Sequence, residues 1–221
     1  MGFMIVDNVE FSNLSQKDVG KGGIRFEGAV GSNKIQSKLT NSAFHTGQDW
    51  GFSLISSENI VVTNNAFVGW RAIGVRLDKT KNCTFSDNFV GDVKARGIAF
   101  TGMTIDKEAC VAYGSYDNTS TGSTNVGTTF ENNIAAGCVF AGFIAPGYYA
   151  CGDDGKNFKG NVAHSSNMVG LYAYAAPSGS KNAACVEFSH FAAYKTQEAC
   201  VVSYIKTELQ KAHHITCIDV Q

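Results

Sequence analysis

The stretch "ENIVVTNNAFVGWRAIGVRL", Glu58 to Leu77, is followed closely by "KNCTFSDNFVGDVKARGIAF", Lys81 to Phe100. A shift of 23 residues lays one over the other, placing Ile60 on Cys83, Asn65 on Asn88 and Gly74 on Gly97. A fixed period of that length is the mark of a solenoid, in which each copy buries its apolar side only against the copies beside it.

The interval from Asn to Gly extends the pattern along the chain. It is nine residues in Asn65 to Gly74, Asn88 to Gly97, Asn133 to Gly142 and Asn161 to Gly170, and ten in Asn13 to Gly23 and Asn41 to Gly51. A seventh, degenerate copy, "CVEFSHFAAYKTQEACVVSY", keeps the spacing with His190 and Ala199. Each copy carries short apolar alternations before the Asn, after it and after the Gly, such as "NIVVT", "AFV" and Val75-Arg76-Leu77. Runs of three to five residues with period two are strands, too short and too regular for amphipathic helices. Three strands per turn predict an all-β chain, a right-handed parallel β-helix of about seven coils forming one segment over residues 1–221. The recurring Asn is then expected to face inward at a bend, where stacked amides satisfy one another and the turn backbone.

The period breaks in three places. From Asn88 to Asn133 is 45 residues, 22 more than one repeat, so Thr101 to Gly127, rich in Gly, Ser, Thr and Asn, is predicted to be a loop insertion leaving one face. Shorter excursions are expected at Pro146 to Lys156 and Ala176 to Cys185. Such interruptions are where partners would be held.

Seven cysteines exceed cytosolic habit and favour an oxidising compartment. Cys110, Cys151 and Cys185 lie in or beside the excursions and are the better disulfide candidates, with Cys151 and Cys185 the preferred pair because neighbouring coils bring the same side together. Cys83, Cys138, Cys200 and Cys217 sit in strand-like contexts and are expected as buried free thiols. Of three glycosylation sequons, Asn118 in the insertion and Asn82 are the candidate acceptors, whereas Asn13 is expected to turn inward.

A net charge of −1 supplies neither a basic face for nucleic acid nor a polybasic patch, so no nucleic-acid partner and no membrane contact by this segment are expected. "MGFMIVDNVEF" lacks the charged and apolar regions of a signal peptide, and Val6 stands where a myristoylation signal wants Ser or Thr. A secreted parent would therefore be longer than this chain.

Chemistry is sparse by comparison. Arg71, Arg76, Lys94 and Arg96 form a candidate glycan-binding strip, with Arg71 stacked over Lys94 and Asp92 above Gly69 by their offsets in the repeat. Asp78 and Asp92 are the carboxylates a polysaccharide-cleaving centre would use. "HTGQDWGF" can be drawn as a pairing of His45 with Asp49, but no partnered nucleophile follows and a capped turn is the better reading. No spacing of His, Cys and carboxylates matches a zinc site, no Gly-rich phosphate loop precedes a helix, and no cofactor is implied.

The C-terminal half, "FENNIAAGCVFAGFIAPGYYAC" and "FKGNVAHSSNMVGLYAY", resembles the β-helix region of fibrocystin and fibrocystin-L. In that family N-x-A-A-G-S-x-x-x-G-F/Y, a Cys, and N-x-A-H-S-x-x-x-G follow in order. Asn133, Ala135, Ala136, Gly137, Gly142 and Phe143 match the first motif, Cys151 the Cys, and Asn161, Ala163, His164, Ser165 and Gly170 the second; Cys138 stands where Ser is usual. The resemblance implies a non-enzymatic ectodomain fragment of a large membrane-anchored or secreted protein, in some lineages ciliary, with no catalytic residues to transfer. It also implies protein or glycan partners at the cell surface, and further coils or another chain at the open ends. The same region is similar to that of cell-surface hyaluronidases, which keeps a polysaccharide-binding or polysaccharide-cleaving module as the alternative.

Overall fold

The computed structural model describes residues 3–15, 23–32, 35–94, 109–113, 125, 127–146, 158–174, 186–204 and 210–221. Across these the chain winds as successive coils of short strands. Coil 1 holds β1 (Ile5–Asp7), β2 (Glu10–Ser12) and β3 (Ile24–Glu27); coil 2 holds β4 (Ser37–Thr40), β5 (Ala43–His45) and β6 (Phe52–Ile55). Coil 3 holds β7 (Ile60–Thr63), β8 (Ala66–Val68) and β9 (Ile73–Asp78); coil 4 holds β10 (Thr84–Ser86), β11 (Phe89–Val93) and β12 (Ala109–Tyr113). Coil 5 holds β13 (Thr129–Glu131), β14 (Ile134–Cys138) and β15 (Ala141–Pro146); coil 6 holds β16 (Phe158–Lys159), β17 (Val162–His164) and β18 (Val169–Tyr174). Coil 7 holds β19 (Val186–Ser189), β20 (Ala192–Tyr194) and β21 (Ala199–Tyr204), and β22 (Gln210–His213) and β23 (Thr216–Ile218) open an eighth.

The first strands of all coils stack into one sheet of eight, the second strands into another of eight, and the third strands into a sheet of seven. All pairings are parallel and in step, with Leu39 on Val62, Val62 on Phe85 and Phe85 on Phe130. This is a right-handed parallel β-helix.

The corners explain why the sequence repeats. Between the first and second strands one residue per coil adopts a left-handed backbone: Asn8, Asn41, Asn64, Asp87, Asn132, Gly160, His190 and His214, with φ between 49° and 68°. Gly, Asn, Asp and His are the residues for which that region costs least. The next residue turns inward. Asn65, Asn88, Asn133 and Asn161 occupy this inner place in coils 3 to 6, all buried. Each side-chain Oδ1 accepts the backbone N–H of the same place one coil earlier, at 3.1, 3.0, 3.1 and 3.0 Å for Ser42, Asn65, Asn88 and Asn133 in turn. Each Nδ2 donates to a carbonyl of the preceding coil, as Asn133 does to Phe85 at 3.1 Å. The backbone N–H groups of Ser42, Asn65, Asn88 and Asn133, which the bend turns into an apolar interior, are thereby satisfied.

The expected column is therefore two columns. Asn41 and His190 belong to the outer, left-handed row, and the inner places beside them are filled by Ser42 and Phe191. Asn13 is exposed at the second corner with φ of 54°, not turned inward. The confusion arises because adjacent residues at a bend face opposite ways, and a one-residue shift in spacing moves an Asn from one row to the other.

The third sheet corrects the sequence in coil 4. Gly51, Gly74, Gly142 and Gly170 stand where a Cβ would press on the next coil, and at Gly23 it would press on Leu14 of its own: at Gly142 it would lie 2.6 Å from the Ala163 methyl and 2.8 Å from the Gly170 carbonyl oxygen. In coil 4 this place belongs to Cys110, since β12 pairs β9 on one side, with Ala109 on Ile73 and Val111 on Val75, and β15 on the other. Thr101 to Gly127 thus contains a solenoid strand and is not purely an inserted loop. Gly97 to Phe100 lie outside the described residues.

Aromatic rings run through the core. Phe11, Phe44 and Phe67 stack in the second sheet at 5.3 and 5.1 Å between centroids; the stack then crosses to the first sheet, Phe67 to Phe85 at 6.4 Å, and continues through Phe130 to Phe158, each step 5.2 Å. Trp70, fully buried at the second corner, spreads over Gly47, where any side chain would collide with its ring.

Candidate functional site

The predicted basic strip is split by the fold. Arg71 and Lys94 do stand side by side, joined by an isolated parallel bridge just before the third sheet, and both are exposed. Lys94 Nζ lies 3.2 Å from Asp92 Oδ2, and Asp92 takes the left-handed corner place above Gly69. Arg76 is on the third sheet itself, in register with Ser53 and Ala112. Arg96 lies outside the described residues.

On the outer face of the third sheet, strand alternation sets polar side chains among apolar ones. The Arg76 guanidinium sits 4.8 Å from the Trp50 ring centroid and donates to Asp78 Oδ2 at 3.1 Å. Two coils earlier, in the same two rows, Arg25 pairs with Glu27 at 2.7 Å. Ser53 and Asp78 are almost wholly buried, and among the described residues Ser53 Oγ, Asp78 Oδ1 and Trp50 Nε1 have no hydrogen-bond partner. Unmet polar groups of this kind cost free energy unless a ligand or water meets them.

A second feature lies at the first corner and rests on no sequence prediction. An open groove of about 670 Å³ runs over coils 1 to 4. Along it lie the exposed left-handed residues Asn8, Asn41, Asn64 and Asp87, flanked on the second sheet by Glu10, Ala43, Ala66 and Phe89. Asp7, at its rim, accepts hydrogen bonds from Thr40 Oγ1 at 2.6 Å and Asn41 Nδ2 at 2.8 Å. These hold its carboxyl below the ordinary value.

The histidines serve local packing. His45 Nε2 meets Glu10 Oε1 of the preceding coil at 2.7 Å, so the His45 and Asp49 pairing drawn from the sequence gives way to an inter-coil contact. His164 stacks on Tyr194 at 4.8 Å; burial first, and the Lys195 charge second, push its pKa down. His190 stacks on His214 at 4.5 Å.

The cysteines overturn a further expectation. Cys110 is bonded to Cys138 and Cys200 to Cys217, joining coil 4 to coil 5 and coil 7 to coil 8. Cys138, Cys200 and Cys217 are therefore not free thiols: inward-facing positions on adjacent coils approach within 5.5 and 5.7 Å between Cα atoms, as close as a disulfide needs. Cys83 is the buried free thiol expected, its pKa raised by burial, and its Sγ accepts the Ile60 N–H at 3.4 Å. Cys151, Cys185 and the sequon at Asn118 lie outside the described residues. Asn82, the other candidate acceptor, is exposed at a corner with φ of 49°.

Strands, corners and ladder together define the class: a parallel β-helix with polar groups displayed on its outside. Among solved structures the chain is similar in fold to the periplasmic alginate epimerase AlgG, with a TM-score of 0.47 and 10% identity over 94% of this chain and 58% of that one. It is also similar to the Streptococcus pneumoniae surface protein and adhesin PfbA, with a TM-score of 0.44 and 13% identity over 96% of this chain and 67% of that one. The chain thus spans less than two thirds of the epimerase. No protein-family model matches it, and no characterised protein matches it in sequence.

Proposed function

We propose that this chain is part of an extracellular or cell-surface scaffold, a stiff non-enzymatic rod whose outer faces hold protein or glycan partners, as its resemblance to the fibrocystin region implies. The observation that carries this reading is two internal disulfides among the described residues, each tying one coil to the next where hydrogen bonding already fixes the register. Such cross-links persist in oxidising compartments and lock stacked units that could otherwise fray. Apolar side chains exposed on the first and last coils, Phe3 at 58%, Ile5 at 59% and Ile218 at 55%, support contact there with further coils or a second chain.

The chain expressed through a secretory route should yield disulfide-linked peptides joining Cys110 to Cys138 and Cys200 to Cys217. It should also leave the chain length of hyaluronan and alginate unchanged. Shortening of either polysaccharide, abolished by Asp78→Asn or Asp92→Asn, would replace the scaffold with a cleaving module.

A further inference from the structure

We propose that the groove at the first corner binds a linear, uncharged polysaccharide lying along the solenoid axis, one sugar unit to each coil. The inference deepens the scaffold reading and rests on it, naming one class of glycan and the place that holds it, since a rod can be stiff without holding a sugar. It rests on groups that the fold repeats.

The left-handed row presents Asn8, Asn41, Asn64 and Asp87 at the surface, one per coil, at the inter-strand spacing of about 4.8 Å. That interval is close to the length of one pyranose unit in an equatorially linked chain. An extended peptide advances only about 3.3 Å per residue and would fall out of step with the row within a few residues.

An amide offers both donors and an acceptor, the combination that neighbouring hydroxyl groups on a sugar require. Elsewhere on the rod several exposed charges are neutralised in pairs, Lys81 with Glu58, Lys159 with Glu131, Lys94 with Asp92. The row itself carries amides in three of its four coils and one acid, and so selects hydroxyls over carboxylates. Phe89, 37% exposed beside Ala66 in the next coil down, supplies an apolar shelf for the C–H face of a sugar ring at one end.

The row is also held rigid from beneath. The residues that follow Asn41, Asn64 and Asp87 are Ser42, Asn65 and Asn88, whose backbone N–H groups are locked into the inner ladder, so the outer amides need little ordering when a ligand arrives.

Calorimetric titration of the 221-residue chain with cellohexaose, β-1,4-mannohexaose and a hyaluronan hexasaccharide tests the proposal. One neutral hexaose should bind, with affinity rising from disaccharide to tetrasaccharide and then levelling, because the groove spans four coils. Asn64→Gly should weaken binding by about tenfold, the effect of losing one or two hydrogen bonds, and Asn41→Gly should weaken it less, since Asn41 Nδ2 already donates to Asp7. Glycine keeps the left-handed corner, as Gly160 does in the same row, and Asn64→Asp, the residue found there in coil 4, is the second variant should glycine loosen the coil. Failure of both neutral hexaoses to bind at millimolar concentration, binding of the anionic hexasaccharide alone, or binding indifferent to both Asn64 variants would each overturn it.

Discussion

Coils 2 and 3 carry their aromatic bulk on the second sheet, as Phe44 and Phe67, with Leu39 and Val62 on the first. Coils 5 and 6 reverse this, with Phe130 and Phe158 on the first sheet and Ala135 and Ala163 on the second. The solenoid's cross-section is constant, so a coil accommodates roughly one large ring between these two sheets, whichever supplies it. Adjacent coils must agree because rings stack best on rings, and the handover from Phe67 to Phe85 is the longest step in the stack, 6.4 Å. What the difference teaches is that volume per coil is specified while its source is not.

The firmest test of that statement is to move a ring. Phe130→Ala should cost about 3–5 kcal/mol in urea unfolding, by lost burial and the cavity left behind. Adding Ala135→Phe in the same coil should recover a substantial part. A double variant no more stable than Phe130→Ala alone would mean that the two sheets are not interchangeable.

The two regions also differ in what clamps them. Coils 2 and 3 rely on Trp70 spread over Gly47, whereas coils 4 and 5 are joined by Cys110 and Cys138. Replacing both of these cysteines with Ser should lower stability by about 2–4 kcal/mol. Cys83→Ser keeps a group able to accept the Ile60 N–H and to donate to the Ser57 and Lys81 carbonyls, and should cost less than about 1.5 kcal/mol.

The inner ladder sharpens the contrast at lower energy. Asn133→Ala strands the Asn88 N–H and the Phe85 carbonyl in an apolar interior and should cost about 1–3 kcal/mol, with faster hydrogen exchange at Asn88. Ser42→Ala, at the end of the ladder where the Val9 N–H loses its partner, should cost less, because coil 1 is more exposed. Equal losses would show that the ladder does not grow stronger toward the middle.

The smallest expected effect concerns pH. The folded-state pKa of His164 is lowered from 6.5, so its neutral form is favoured by folding. The unfolded chain binds more protons as pH falls, and stability present above about 6.5 should decline as pH drops through the lower folded value. His164→Gln should flatten that decline in unfolding curves taken at successive pH values, and an unchanged slope would show that the groups responsible lie elsewhere.

Much of the fold was legible because the period leaves little freedom: Asn65, Asn88, Asn133 and Asn161, and Gly74, Gly142 and Gly170, were placed correctly from spacing alone. The motif residues behind the fibrocystin resemblance fall on those same demanding places. Asn133 and Asn161 are ladder rungs, Gly137 and Ser165 are left-handed corners, and Gly142 and Gly170 fit where no side chain does. The candidate site was less legible. Arg71 and Lys94 were stacked correctly by their offset, but Arg76 was assigned to their strip although it points from a different row, and its contacts with Trp50 and Asp78 have no fixed spacing in sequence.

The amino-acid sequence by itself determined the period, the strand positions and the residues able to occupy each bend, since these depend on local backbone preferences and alternation repeated in every copy. Only the tertiary structure decided which third strand completes coil 4, which cysteines meet, and that two rows of polar residues lie back to back at the first corner, one inside and one facing the groove. Those outcomes depend on which side of a neighbouring coil a residue meets. A shift of one position, invisible in composition and nearly so in spacing, reverses that side.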